Sequence, residues 1–203
     1  MTKITQLSQL DLNGIYSYAD YMNWRFEETV ELIKGKIMQM SPAPNVGHQC
    51  IAGNLYGIFY NFFRHKPCHF FPAPFDVRLY DQKKSLLANQ DIHTVVQPDL
   101  CVICNPEQLD QQGCNGAPDW IIEILSKGNA KREMNIKYAL YQESGVKEYW
   151  LVYPEQQAIH QFVLDETGCY QLKNMFADGF ATSQLFPELS IALADIFETW
   201  AQD

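Results

Sequence analysis

The chain has 203 residues, 47% of them hydrophobic and 19% charged, and its 24 acidic and 15 basic side chains leave a formal net charge of −9. That length suits one domain with a sizeable core, and the acidic balance argues against a passive, tightly binding nucleic-acid protein, which carries a basic footprint. No apolar run reaches the roughly 18 residues of a membrane span, and "MTKITQLSQLDLNG" lacks the apolar core of a signal peptide, so one cytoplasmic domain over residues 1–203 is expected.

The elements follow in chain order. "YSYADYMNWRFEETVE" (16–31) mixes aromatics and acids and predicts one or two short helices. "ELIKGKIMQM" reads as a hairpin turning at Lys34-Gly35. After the breaker "SPAPN", Ile51, Leu55, Phe59 and Phe62 recur at three or four residues and predict a helix over 48–64, with His48 on the same stripe. "HFFPAPFDVRLY" is a strand region whose prolines suggest an edge or a bend. Residues 81–94 and 105–118 read as loops. "VVQPDLCVI" and "DWIIEIL" are short buried strands. "KREMNIKYALYQES" is a helix closed by Gly145, and "KEYWLVY" a strand. "AIHQFVLDETGCYQLKNMF" is a hairpin, and "ELSIALADIFETW" ends in a short helix. This order fits an α/β (α+β) architecture: a central mixed sheet flanked by helices, with hairpin additions at both ends.

Six cysteines are scattered at positions 50, 68, 101, 104, 114 and 169, without the spacing of a small disulfide scaffold. "CVIC" resembles a metal pair, but residues three apart in a strand point to opposite faces. Cys101 and Cys104 therefore read as buried thiols.

Two acids are out of place. Asp99 stands at the mouth of "DLCVIC" and Glu123 inside "DWIIEIL", where a carboxylate must be paired, protonated or bound to a metal. If the two strands are neighbours, the acids meet at a shared edge and repel unless a cation lies between them. Such oxygen-rich sites suit Mg²⁺ or Mn²⁺, with the Ile124 carbonyl as a third protein ligand and waters completing the shell. A cation there polarises a phosphodiester and acidifies the attacking water. The plainer readings are that Asp99 caps a strand or turn, that Glu123 pairs with a buried Lys or Arg, that Lys137 lies along the surface, and that His48 and Glu31 merely begin or flank their elements. Asp76 reads as closing a strand hydrogen bond, and Gln97 as a polar edge residue facing the pocket.

Pro98-Asp99 and Glu123-Ile124 resemble the PD-(D/E)xK nuclease signature, with Leu125 where the lysine belongs. Lys137 has Met134, Leu140 and Tyr141 as helical neighbours, so it points towards the sheet and is the candidate migrated lysine. The ordered set "VELIKGKIMQMSPAPNVGHQ", "FPAPFDVRL", "VVQPDLCVI", "GAPDWIIEILS", "KYALYQESGVKEYWLVYP" and "LADIF", over roughly 16–197, resembles the Uma-two family, a restriction-endonuclease-like group. The resemblance implies a PD-(D/E)xK-like fold, a Mg²⁺ or Mn²⁺ site and nuclease activity. It maps the family pattern onto Glu31, His48, Asp99, Glu123 and Lys137. "LSKG" replaces the family's frequent "LSPS".

Three function classes follow. One is a metal-dependent phosphodiesterase acting on DNA, or on RNA. Another is a nuclease-fold protein that binds nucleic acid or protein without cleaving. The third is a homodimer whose acids make internal ion pairs. A two-fold homodimer is expected from the aromatics of "YSYADYMNWRF", if they are exposed.

Overall fold

The computed structural model describes residues 3–40, 45–80, 91–126 and 130–198. After a single 3-10 turn at Leu7–Gln9, α1 (Tyr18–Tyr21) is one turn long, closed by the reciprocal bonds of Ser17 and Asp20. Strands β1 (Val30–Ile33) and β2 (Lys36–Gln39) form the expected hairpin. Its two-residue turn needs positive φ at both positions. Lys34 adopts +51° and Gly35 +82°.

Helix α2 (Val46–Phe63) starts where the Asn45 side chain accepts the His48 amide at 2.9 Å. Its four-residue repeat buries Ile51, Leu55, Phe59 and Phe63, while Phe62, expected on that stripe, is only partly buried against the same core. Strands β3 (His69–Pro72), β4 (Val77–Arg78), β5 (Val95–Val96) and β6 (Leu100–Ile103) follow. Next come β7 (Leu109–Asp110), β8 (Gly113–Asn115) and β9 (Trp120–Ile124). Helix α3 (Ala130–Ser144) ends at Gly145, whose φ is +86°. Strands β10 (Glu148–Tyr153), β11 (Ala158–Leu164), β12 (Tyr170–Phe176), β13 (Phe180–Thr182) and β14 (Ser190–Ala192) lead to α4 (Leu193–Phe197).

The strands form a main sheet in the order β12-β11-β10-β9-β6-β3, a second sheet β2-β1-β5-β4-β8-β7, and a β13-β14 ribbon. The main sheet is mixed, since β9 runs parallel to β10 and antiparallel to β6. Its alternating side chains divide the core. Leu100, Val102, Trp120, Ile122 and Ile124 pack with α2 and α4. Cys101, Ile103 and Ile121 pack instead with the second sheet and with Leu140 and Tyr141 of α3.

Several expectations need correction. "FFPAPFDVRL" and "VVQPDLCVI" are not single strands of one sheet. Each crosses from one sheet to the other, the first between Pro72 and Val77 and the second between Val96 and Leu100. Prolines 72, 74 and 98 lack the amide that would continue a ladder. Residues 105–118 are not a plain loop, because they carry a 3-10 turn at Pro106–Gln108 and the β7-β8 hairpin. The expected loop over 81–94 falls largely outside the described residues, at 81–90. Cys104 is not a thiol: it forms a disulfide with Cys68, directly across the β3-β6 ladder, while Cys101 is free and buried as expected. The aromatics near the N-terminus are interior, with Tyr18 and Trp24 buried and Tyr21 and Phe26 packed on them. The patch that suggested a homodimer is therefore part of the chain's own core.

Candidate active site

The β6-β9 register pairs Leu100 with Ile122, so one step further sets Asp99 across from Glu123. Both acids share the parity of Cys101 and Ile121, which places them on the α3 side of the sheet. The chain turns at Pro98, and the Asp99 carbonyl accepts the Ala73 amide at 3.0 Å. Asp99 Oδ2 accepts the Ile124 amide at 2.7 Å, continuing the ladder by a side chain where the strand has ended. The same oxygen lies 3.3 Å from His48 Nε2, brought in by the first turn of α2. A strand residue's N–H and C=O point to the same side. The Ile124 carbonyl therefore faces the space that Asp99 borders.

Glu123 is paired. Its Oε1 accepts from Lys137 Nζ at 2.9 Å and from the Tyr141 hydroxyl at 2.6 Å, both from α3 and one turn apart. Lys137 Nζ also lies 3.1 Å from Glu31 Oε1 on β1. Glu31 Oε1 accepts the Gln97 amide at 2.8 Å as well. The side chains of Glu31, Lys137 and Glu123 are only 3%, 13% and 13% exposed. Around them, Gln97 Nε2 donates to Asp76 Oδ1 at 2.8 Å, and the Tyr21 hydroxyl reaches the same oxygen at 3.4 Å. The Asp76 backbone carbonyl accepts the Cys114 amide at 2.9 Å, so it does close a strand bond.

The electrostatics follow from Glu123 and Glu31 sharing one ammonium, with Asp99 beside them against His48. Burial pushes Glu123 up to about 7, aided by the charges of Asp99 and Glu31 and opposed by Lys137 and Tyr141. Burial alone would lower Lys137, but Glu123 and Glu31 outweigh it and hold the amine well above its usual range. Burial alone would lower His48, but its bond to Asp99, the charges of Asp99 and Glu123 and a bond to the Ile124 backbone together raise it. Burial raises Asp76 against the bonds from Gln97 and Tyr21.

These residues fit a hard divalent cation. Three carboxylates, of Asp99, Glu123 and Glu31, thus surround one ammonium and one imidazole, an acidic set that suits a cation. Asp99 Oδ1 and Glu123 Oε2 accept no hydrogen bond among the described residues. Nor, among those residues, does any cluster of three or more His, Cys, Asp or Glu form a ready-made cage. A cation here would be held by two carboxylates, the Ile124 carbonyl and water, the sparse oxygen set that Mg²⁺ or Mn²⁺ accepts.

All five side chains expected from the sequence, Glu31, His48, Asp99, Glu123 and Lys137, converge on this one place. Tyr141 was not expected. The only signal for it was its position one turn beyond Lys137.

A family model described as "Uma2: Putative restriction endonuclease" matches residues 18–194. The chain belongs to the Uma2 family. The chain is also similar, at a TM-score of 0.67, to the crystal structure of "a putative nuclease belonging to DUF820" from Anabaena variabilis ATCC 29413. The two share 20% sequence identity, over 89% of this Uma2 chain and 97% of the other, which shows a common fold. No curated protein matches the chain.

Proposed function

We propose that this Uma2 protein is a metal-dependent endonuclease that hydrolyses phosphodiester bonds in DNA. The observation that carries the reading is the position of Lys137. The ammonium missing from position 125 is supplied from α3 and lies against Glu123. A carboxylate pair and a lysine thus assemble from three separate segments.

In this reading Asp99, Glu123 and the Ile124 carbonyl hold Mg²⁺ or Mn²⁺. Bound there, the ion supplies Lewis-acid polarisation of the phosphate and a more acidic water. The chain's own groups do the rest. Lys137 offers its ammonium to a non-bridging phosphate oxygen or to the attacking water. Glu31 keeps that ammonium within reach when it leaves Glu123. His48 fixes the Asp99 carboxylate through Nε2. Attack of water on phosphorus breaks one ester bond and leaves a phosphate monoester and a hydroxyl. A two-fold homodimer would present one such site to each strand of a duplex.

A second reading is a nuclease-fold binding module without catalysis. The observation favouring it is the same lysine, whose ammonium is engaged by two carboxylates in a closed ion pair. The test is cleavage of plasmid and single-stranded DNA by purified protein with Mg²⁺ or Mn²⁺, with Glu123→Gln as control. Wild-type cleavage that EDTA and Glu123→Gln both abolish supports the enzyme. Equal cleavage by both proteins, or none by either, rejects it.

A further inference from the structure

We infer that Tyr141 is a positioning residue that anchors Glu123 so that Lys137 is free to leave it. The inference rests on the metal-dependent reading above. Lys137 and Tyr141 donate to one and the same oxygen, Glu123 Oε1, at 2.9 and 2.6 Å. For a residue meant only to neutralise the acid, the lysine would be enough. The two donors differ in kind. Lys137 sits on a long flexible stem and has a second partner, Glu31 Oε1, at 3.1 Å. Tyr141 is fully buried, its ring lies 5.3 Å from that of Tyr149, and its hydroxyl donates only to Glu123. A phenol has one proton to give and two rotatable side-chain bonds, so packing fixes its direction.

The consequence is a division of labour on one helix turn. When Lys137 moves to a phosphate oxygen, it can swing about Glu31 without releasing Glu123. Tyr141 then remains the donor on Oε1, and Oε2, which accepts no hydrogen bond among the described residues, is left for the cation. Without the hydroxyl, Glu123 is held only by the group that must leave.

The experiment has two readouts, and one needs no metal. Crystal structures of Lys137→Met and of Lys137→Met/Tyr141→Phe, grown in EDTA, show the side chain of Glu123 directly. The expected result is that Glu123 keeps its conformation and its bond to the Tyr141 hydroxyl in the single variant, and leaves it in the double. If Glu123 swings away in Lys137→Met with Tyr141 intact, the inference is overturned. Mn²⁺ titration calorimetry on wild type and Tyr141→Phe is the second readout. Loss of the pre-organised carboxylate predicts roughly tenfold weaker binding, and loss of a buried charge-assisted bond predicts a lower melting temperature in EDTA. Unchanged Mn²⁺ affinity in Tyr141→Phe overturns the inference. No Mn²⁺ binding by wild type overturns the metal reading itself, and the EDTA crystals then decide the anchoring separately.

Discussion

Lys137 Nζ stands 2.9 Å from Glu123 Oε1, although the two residues lie on different elements, a helix and the strand before it. A lysine at position 125 would share the face of Glu123 by strand alternation. Leu125 occupies that place, and it packs with the α3-side core. The charge is delivered across the layer instead, by a helix whose Leu140 and Tyr141 pin it to the sheet. The proposed chemistry asks for an ammonium at a point in space, and either backbone can supply it.

Lys137→Met should separate binding from turnover. Removing the ammonium takes away a competitor for Glu123, so Mn²⁺ affinity should hold or tighten. Cleavage should fall roughly 10²-fold or more, the scale of one lost positioned group. Calorimetry beside a plasmid nicking assay checks both. Equal loss in the two assays would mean that Lys137 serves only the fold.

The metal-free protein should lose stability as pH rises. Glu123 is lifted from an ordinary 4.5 to about 7 in the folded state, chiefly by burial. Between those values the native state holds a proton that the unfolded chain has released, so unfolding free energy falls with increasing pH. The cost is complete above about pH 7 and is on the order of 3 kcal/mol at most. Urea unfolding in EDTA at about pH 5 and pH 8 should show this decline. Glu123→Gln should flatten it and be the more stable protein at the higher pH. An identical slope in both would place the titration elsewhere.

Glu148 should be structural. It is fully buried on β10, and its carboxylate accepts from Trp150 Nε1, Gln161 Nε2, Ser183 Oγ and the amides of Gln184 and Leu185. These bonds tie the C-terminal ribbon to the main sheet. Glu148→Ala strands several buried donors and should cost about 3 kcal/mol or more. Thermal or urea unfolding reads the loss. A variant as stable as wild type would show that water replaces the carboxylate.

The thiol count should report the β3-β6 staple. Denatured, unreduced protein should offer four reactive thiols, those of Cys50, Cys101, Cys114 and Cys169, against six after reduction. Six before reduction would show that Cys68 and Cys104 are unlinked.

Much of this was legible in the sequence because its signals were local. The Lys34-Gly35 hairpin, the buried stripe of α2 and the Gly145 stop each depend on neighbouring residues. Asp99 and Glu123 were legible as acids that apolar strands do not tolerate unpaired. The rest needed three dimensions. Glu148 lies in an apolar strand just as Glu123 does, and only its ring of donors reveals it as structural. The crossing at Pro98 assigns two halves of one apolar run to different sheets, which periodicity cannot show. Tyr141 looked like another core aromatic, since its hydroxyl matters only through a carboxylate on another element. The bond from Cys68 to Cys104 depends on the β3-β6 register, which no cysteine spacing encodes.

The measurement closest to the central claim is anomalous diffraction from crystals soaked in Mn²⁺, with Glu123→Gln crystals treated alike. A metal-dependent nuclease should show an anomalous peak bounded by Asp99, Glu123 and the Ile124 carbonyl in wild type, and lose it in the variant. Wild-type crystals that show no peak there at saturating Mn²⁺, with Lys137 still closed between Glu31 and Glu123, would contradict it.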